Sequence, residues 1–219
     1  MAKIDRVCAL LDREYGAQRW TEREPVLDEL IRTILSQNTA AANCNEAFAR
    51  LRARFEDWKA VKDADWREIA EAISVGGLAN RKAPRIKRML EQVYDRQRNL
   101  DLEWIARTPD QQAIDYLLGF DGVGPKTAAC VLMFGLGRPV LPVDTHVHRV
   151  AMRLGLIGNV SADEAHDLLQ EMTPPEAVYS FHVNMVTHGR RVCHARNPEC
   201  GRCALTKECD HFARQAQAR

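Results

Sequence analysis

Lys126 has the most unusual placement of any charged residue in the chain, directly after Gly122-Val123-Gly124-Pro125. Two glycines around one apolar residue make a hairpin whose backbone N–H groups can come close to an anion. Pro125 suits the first turn of the helix that follows. That helix start adds the positive end of its dipole, so a nucleic-acid phosphate is a natural guest, bound without regard to base sequence. A lysine in the first turn opposes the same dipole, and helix stability gains nothing from it. Its amine, when neutral, is a nucleophile able to attack a sugar carbon. Asp144 lies 18 positions on, in Val143-Asp144-Thr145-His146. It reads either as a helix N-cap or as a carboxylate that orients the amine and stabilises developing positive charge. His146 has no neighbours at metal-ligand spacing and reads as structural or facing a nucleic acid.

The second chemical feature is Cys193-x6-Cys200-x2-Cys203-x5-Cys209. Four thiolates this close together will hold zinc or an iron–sulfur cluster, and spacing alone does not choose. The chain has seven cysteines, an odd number, and Met1-Ala-Lys-Ile-Asp-Arg6 carries charges without a secretory apolar region. A reducing, cytoplasmic compartment is therefore expected, with metal ligation in place of disulfides. Cys8, Cys44 and Cys130 sit in helical patterns and are expected to be buried small hydrophobes.

The elements that must position these groups are helical. Apolar periodicity marks Pro25–Ser36, with Pro25 as first helical residue, then Ala40–Phe55, Trp66–Ile73, Pro84–Val93 and Thr127–Phe134. Ser161-x-x-Glu164 reads as a capping box, and Pro174-Pro175 restarts the chain toward His188. Val140–Val143 lies between prolines and reads as a loop, so the expected class is all-α. Gly76–Lys82 reads as a loop inside a basic run, with seven Lys/Arg between Gly76 and Arg98. Val160–Glu176 holds five acids and no Lys or Arg. The net charge of +1 excludes a blanket polycation, so any nucleic-acid surface must be local. The longest nearly uncharged apolar stretch, Thr127–Leu136, is about half of a membrane span. No membrane partner is expected. The composition, 46% hydrophobic and 28% charged, excludes a disordered chain.

Taken together, these pieces resemble the endonuclease III family of helix-hairpin-helix DNA glycosylases. Gly122-Val-Gly-Pro-Lys-Thr-Ala-Ala129 is similar to that family's hairpin, and Val143-Asp-Thr-His146 to its aspartate motif. His188-Gly-Arg190 with the x6, x2, x5 cysteine spacing is similar to its [4Fe–4S] loop. The resemblance implies a six-helix barrel domain at 24–138, with its hairpin at about 119–126. It implies a discontinuous iron–sulfur cluster domain made of 1–23 and 139–212, a tail at 213–219, and a DNA cleft between the domains. It also implies base excision of oxidised pyrimidines from duplex DNA by a monomer. A damaged nucleotide would be flipped out and attacked by Lys126 with help from Asp144. A Schiff base and β-elimination would follow.

The same resemblance makes Leu78 the wedge that fills the vacated stack and Gln37 or Asn38 the plug facing the orphaned base. It puts Gly122, Val123, Gly124, Thr127 and His146 on DNA, and makes Cys193, Cys200, Cys203 and Cys209 the cluster ligands. Adenine-excising relatives carry a glutamate in the helix before Leu35-Ser-Gln-Asn-Thr39, and Ile31-Arg-Thr-Ile34 holds none. Asn38, Ala41 and Phe120-Asp121 depart from the usual pattern, as do Asn197 and Glu199 in the cysteine loop. Two further readings stand beside this one, the first of them motivated by these departures. One is a divergent member acting on another lesion or mainly on abasic sites. The other is a non-catalytic DNA-binding iron–sulfur protein.

Overall fold

The computed structural model describes residues 2–217, and among them there are helices and no strands. In chain order the α-helices are α1 (Lys3–Tyr15), α2 (Val26–Ser36), α3 (Ala41–Arg54), α4 (Trp58–Asp63), α5 (Trp66–Ala72) and α6 (Ala79–Gln97). They continue with α7 (Asp110–Leu118), α8 (Pro125–Cys130), α9 (Thr145–Leu154), α10 (Ala162–Met172), α11 (Val178–Arg191) and α12 (Asp210–Gln217). The chain divides into two units, one of Arg23–Leu136 and one of Met1–Glu22 with Gly137–Arg219.

The continuous unit is built around α2, which is buried on nearly every side through Val26, Leu27, Leu30, Ile31, Ile34 and Leu35. Each such side chain contributes about 1.5–3 kcal/mol on burial, more than the helix propensity a β-branched residue gives up. The helix packs against α3, α6 and α8. Pro25 stands at the N-cap, one position earlier than its propensity suggests, because Glu103 Oε1 accepts the Val26 N–H at 2.9 Å and starts the helix there. The split unit is organised by α11, which packs against α1 and α9. Trp20 lies against Gly137 so closely that a Cβ there would come within 2.7 Å of the ring.

Three boundaries differ from expectation for local reasons. Helix α6 begins at Ala79 and contains Pro84, so the basic loop ends at Leu78. The N–H groups of Arg81 and Lys82 bond to Leu78 O at 2.9 and 3.0 Å, which closes the first turn ahead of the proline. The apolar helix expected at Thr127–Phe134 starts at Pro125 and turns π-helical over Val131–Gly135. Residues 213–217, expected as tail, continue α12, which packs on α9, and Lys3 pairs with Asp210 at 2.8 Å. Ala218 and Arg219 lie outside the described residues. Ser161 caps α10 by accepting the Glu164 N–H at 3.2 Å. Cys44 and Cys130 are buried, whereas Cys8 is only half-buried.

Candidate active site

Helix α6 braces the hairpin before Lys126. Gln92 Oε1 accepts the Asp121 N–H at 3.1 Å, and Arg96 Nη2 donates to Gly119 O at 2.5 Å. Arg88 stands 3.6 Å from Asp121, so the acid at the hairpin is paired inside the chain. Arg85 crosses under Gly122, where a Cβ would meet its Nε at 2.6 Å, and donates through Nη1 to Gln37 Oε1 at 2.7 Å. Gly122 has φ +78°, so both space and backbone require glycine. Gly124 differs. Its φ is −102°, and a Cβ there would meet nothing within 4 Å, so nothing within the chain asks for glycine. The open space lies over the N-cap of α8, with Pro125 first in the helix and half-buried Lys126 second. Val123 and Thr127, expected on DNA, are 6% and 5% exposed, so their side chains pack inward and only their backbone is left for such a contact.

Asp144 is the N-cap of α9, and its Oδ1 accepts the N–H groups of His146 and Val147, both at 2.8 Å. The cap uses one carboxylate oxygen of two. Asparagine caps nearly as well as aspartate but carries no charge. Asp144→Asn is therefore expected to change stability by less than about 1 kcal/mol. It should lower strand cleavage about 10²-fold or more. Parallel urea unfolding and single-turnover cleavage check this. His146 is half-buried, and its Nδ1 lies 3.0 Å from Arg149 Nη2. Because arginine only donates, Nδ1 is the acceptor. A Cβ on Gly189 would come within 2.8 Å of the His146 Cβ, so this residue serves packing as well as any outward role.

The same helix holds the cysteine loop. Arg149 Nε donates to Cys193 O at 3.1 Å, and Arg153 donates to His194 O at 2.7 Å and Ala195 O at 3.0 Å. Cys193, Cys200, Cys203 and Cys209 line one small cavity of about 20 Å³ with Val150 and Leu154. Among the described residues no three metal-binding side chains converge on a single ion position. Burial pushes the Cys203 thiol up to about 11, and the neighbouring thiolates of Cys193, Cys209 and Cys200 push the same way. Four cysteine sulfurs lining one apolar space would hold a multinuclear iron–sulfur guest if they ligate it as thiolates. His188 is buried beside them, bonded through Nδ1 to Tyr15 Oη at 2.8 Å. Burial, aided by Arg202, lowers its pKa to about 4, so it is neutral at pH 7.

Two charged residues escaped the sequence reading. Lys82 is 4% exposed, on the apolar stripe it shares with Ile86, Met89 and Val93. Glu29 is 6% exposed in α2, where Oε1 accepts from Thr33 Oγ1 at 3.1 Å. The Ile31–Ile34 window lacks a carboxylate, but the turn before it has one. A charge falling on a helical apolar stripe was the available signal for both. Burial pushes the Glu29 carboxyl up to about 7, against the Thr33 hydrogen bond and the positive charges of Arg32 and Lys126. A carboxyl raised in the folded chain stabilises it below the unfolded value of 4.5 and loses that contribution as pH rises through about 7. Glu29→Gln should therefore remove about 2–5 kcal/mol of pH-dependent stability loss between pH 4.5 and 8, as urea unfolding at several pH values checks.

Residues 31–175 match the family described as HhH-GPD superfamily base excision DNA repair protein, and the chain belongs to it. Endonuclease III of Thermotoga maritima is 32% identical over 191 residues, covering 86% of this chain and 84% of that protein. A candidate DNA glycosylase of Arabidopsis thaliana is 39% identical over 171 residues, 78% of this chain. The chain spans 58% of that protein's length and smaller shares of the longer plant relatives it matches. A solved non-covalent endonuclease III–DNA complex superposes with a TM-score of 0.82 at 26% identity, covering 99% of both chains.

Proposed function

We propose that the protein is a DNA glycosylase with abasic-site lyase activity that removes oxidised pyrimidines from duplex DNA. The observation that carries this reading is Lys126 as second residue of α8, after a hairpin whose Gly124 keeps open a space that nothing in the chain fills. Close approach of a phosphate backbone is what such a space permits. The Lys126 amine attacks C1′ of the flipped nucleotide, and the base leaves with the bonding electron pair. The C1′–O4′ bond then breaks, O4′ takes a proton, and the Schiff base so formed acidifies the C2′ proton, so that β-elimination breaks the C3′–oxygen bond on the 3′ side. Asp144, through the carboxylate oxygen its cap does not use, takes up the amine proton and stabilises oxocarbenium charge. Leu78, 47% exposed, enters the stack, and Asn38 or Gln37 meets the orphaned base. Of the two, Asn38 is exposed, whereas Gln37 is half-buried and bonded to Arg85.

Cys193, Cys200, Cys203 and Cys209 hold a [4Fe–4S] cluster, whose contribution is to fix their loop against α9. The protein acts as a monomer on chromosomal DNA in the cytoplasm. Borohydride trapping tests the reading, on duplexes carrying an abasic site or an oxidised pyrimidine. Adducts with both support it. An adduct with the abasic site alone replaces it with a lyase or a glycosylase for another lesion. Binding without any adduct replaces it with the DNA-binding module.

A further inference from the structure

Lys82 joins two segments of chain that the sequence separates. Its ammonium donates to Leu35 O at 2.6 Å and Thr39 Oγ1 at 2.5 Å on one side, and to Gly76 O at 3.1 Å on the other. Thr39 Oγ1 lies 2.6 Å from Gly76 O and 3.1 Å from Gln37 O, and its single proton serves one of them at a time. Three donors meet three acceptors in a place with almost no solvent, where an unpaired ammonium would be costly.

Both segments carry a left-handed residue. Asn38 and Leu78 each have φ +53°, a conformation that asparagine tolerates and that strains a leucine. Asn38 follows Leu35 by three positions, and Leu78 follows Gly76 by two. Both side chains are exposed. The clasp therefore sits between two left-handed, outward-facing residues and fixes the backbone before each.

We propose that Lys82 is the positioning residue that makes the Gln37–Thr39 turn and the Gly76–Leu78 loop act as one preorganised insertion element when a duplex is opened. This rests on the reading of Leu78 as wedge and Asn38 or Gln37 as plug. A wedge and a plug that fill one hole must keep a fixed separation, and two loops keep it only while something holds them. Lys82→Met retains the length of the side chain but leaves Leu35 O and Thr39 Oγ1 without the lysine donor, so a single Thr39–Gly76 bond remains to join the two loops and their spacing loosens.

The test uses the full protein with duplex DNA carrying 2-aminopurine next to an abasic site, in the Lys126→Gln background. Fluorescence then reports opening of the stack without chemistry, so failure here is separate from failure of the glycosylase reading. Lys82→Met should lower the fluorescence rise at saturating protein at least fivefold. In the Lys126 background, duplex excision should fall about 10–100-fold, with less than a threefold fall in cleavage of single-stranded abasic DNA. Combined with Leu78→Ala, the two losses should overlap, the double variant being no worse than the poorer single one within threefold. Equal losses on duplex and single strand, or losses that multiply, would make Lys82 a general structural lysine and overturn the proposal. If Lys82→Met does not fold, Thr39→Val removes one acceptor and must show the same duplex-selective loss. An unchanged fluorescence rise in that variant overturns the proposal equally.

Discussion

Lys126→Gln gives no covalent adduct on borohydride reduction, and its strand cleavage falls at least about 10³-fold, the scale expected when a covalent nucleophile is removed. Glutamine keeps much of the length and polarity of the side chain but has no amine to form a Schiff base. The fold does not suffer. A cation in the first turn of α8 opposes the helix dipole, so its loss is neutral or stabilising by about 0.3–1 kcal/mol. Binding to abasic duplex stays within a few-fold, because the hairpin and α6 are untouched. Trapping gels, equilibrium binding and thermal unfolding on one preparation separate these effects. An adduct that survives the substitution moves the nucleophile to another amine. Lys82, the buried lysine of the same unit, is already engaged by three oxygens.

Cys203→Ala is the second large effect expected, and it is confined to one unit. The loop from Val192 to Cys209 is made of short 3-10 turns, and only Val192 and Leu205 among its hydrophobic side chains are buried. Such a loop has too little core to hold itself, whereas metal ligation is worth on the order of 10 kcal/mol in small sites. Removing one thiol should abolish iron binding and absorption near 400 nm. It should also free the Cys193, His194 and Ala195 carbonyls from Arg149 and Arg153. Helix α9 then loses its anchor, and Asp144 stands at its first turn. Hydrogen exchange should accelerate in α9 and α11 and stay unchanged in α2 and α6. Iron analysis and exchange mass spectrometry check both halves, and a colourless wild type with stoichiometric zinc would replace the cluster with a mononuclear site.

The residues legible in the sequence were those that break a local rule. Lys126 stands where a helix disfavours a cation, and four cysteines crowd into 17 positions. Helix class followed from apolar periodicity, because α2, α9 and α11 carry their apolar side chains at helical spacing. What stayed hidden depends on partners far along the chain. Lys82 is 47 positions from Leu35 and Arg85 is 48 from Gln37, so even where the apolar stripe flags Lys82, nothing local names the partner of either base. The acid at Asp121 read as an obstacle to a phosphate, and only the fold brings Arg88 and Gln92 to it. Cap positions such as Pro25 shifted because Glu103 arrives from 77 positions away to take a backbone N–H.

The division of the chain also sets an order of events during synthesis. Arg23–Leu136 is continuous and complete once its last residue leaves the ribosome, so it can fold while the remainder is being made. Helix α1 cannot, because its main partner is α11, and the bond between Tyr15 and His188 closes a loop of 173 residues. Helix α1 is made well before α11 and is thus among the last to dock, and it waits with Val7 and Leu11 unburied. Its amphipathic face is the segment most in need of protection in the nascent protein. Trp20 against Gly137 marks where the two passages of the chain are fastened once the rest arrives.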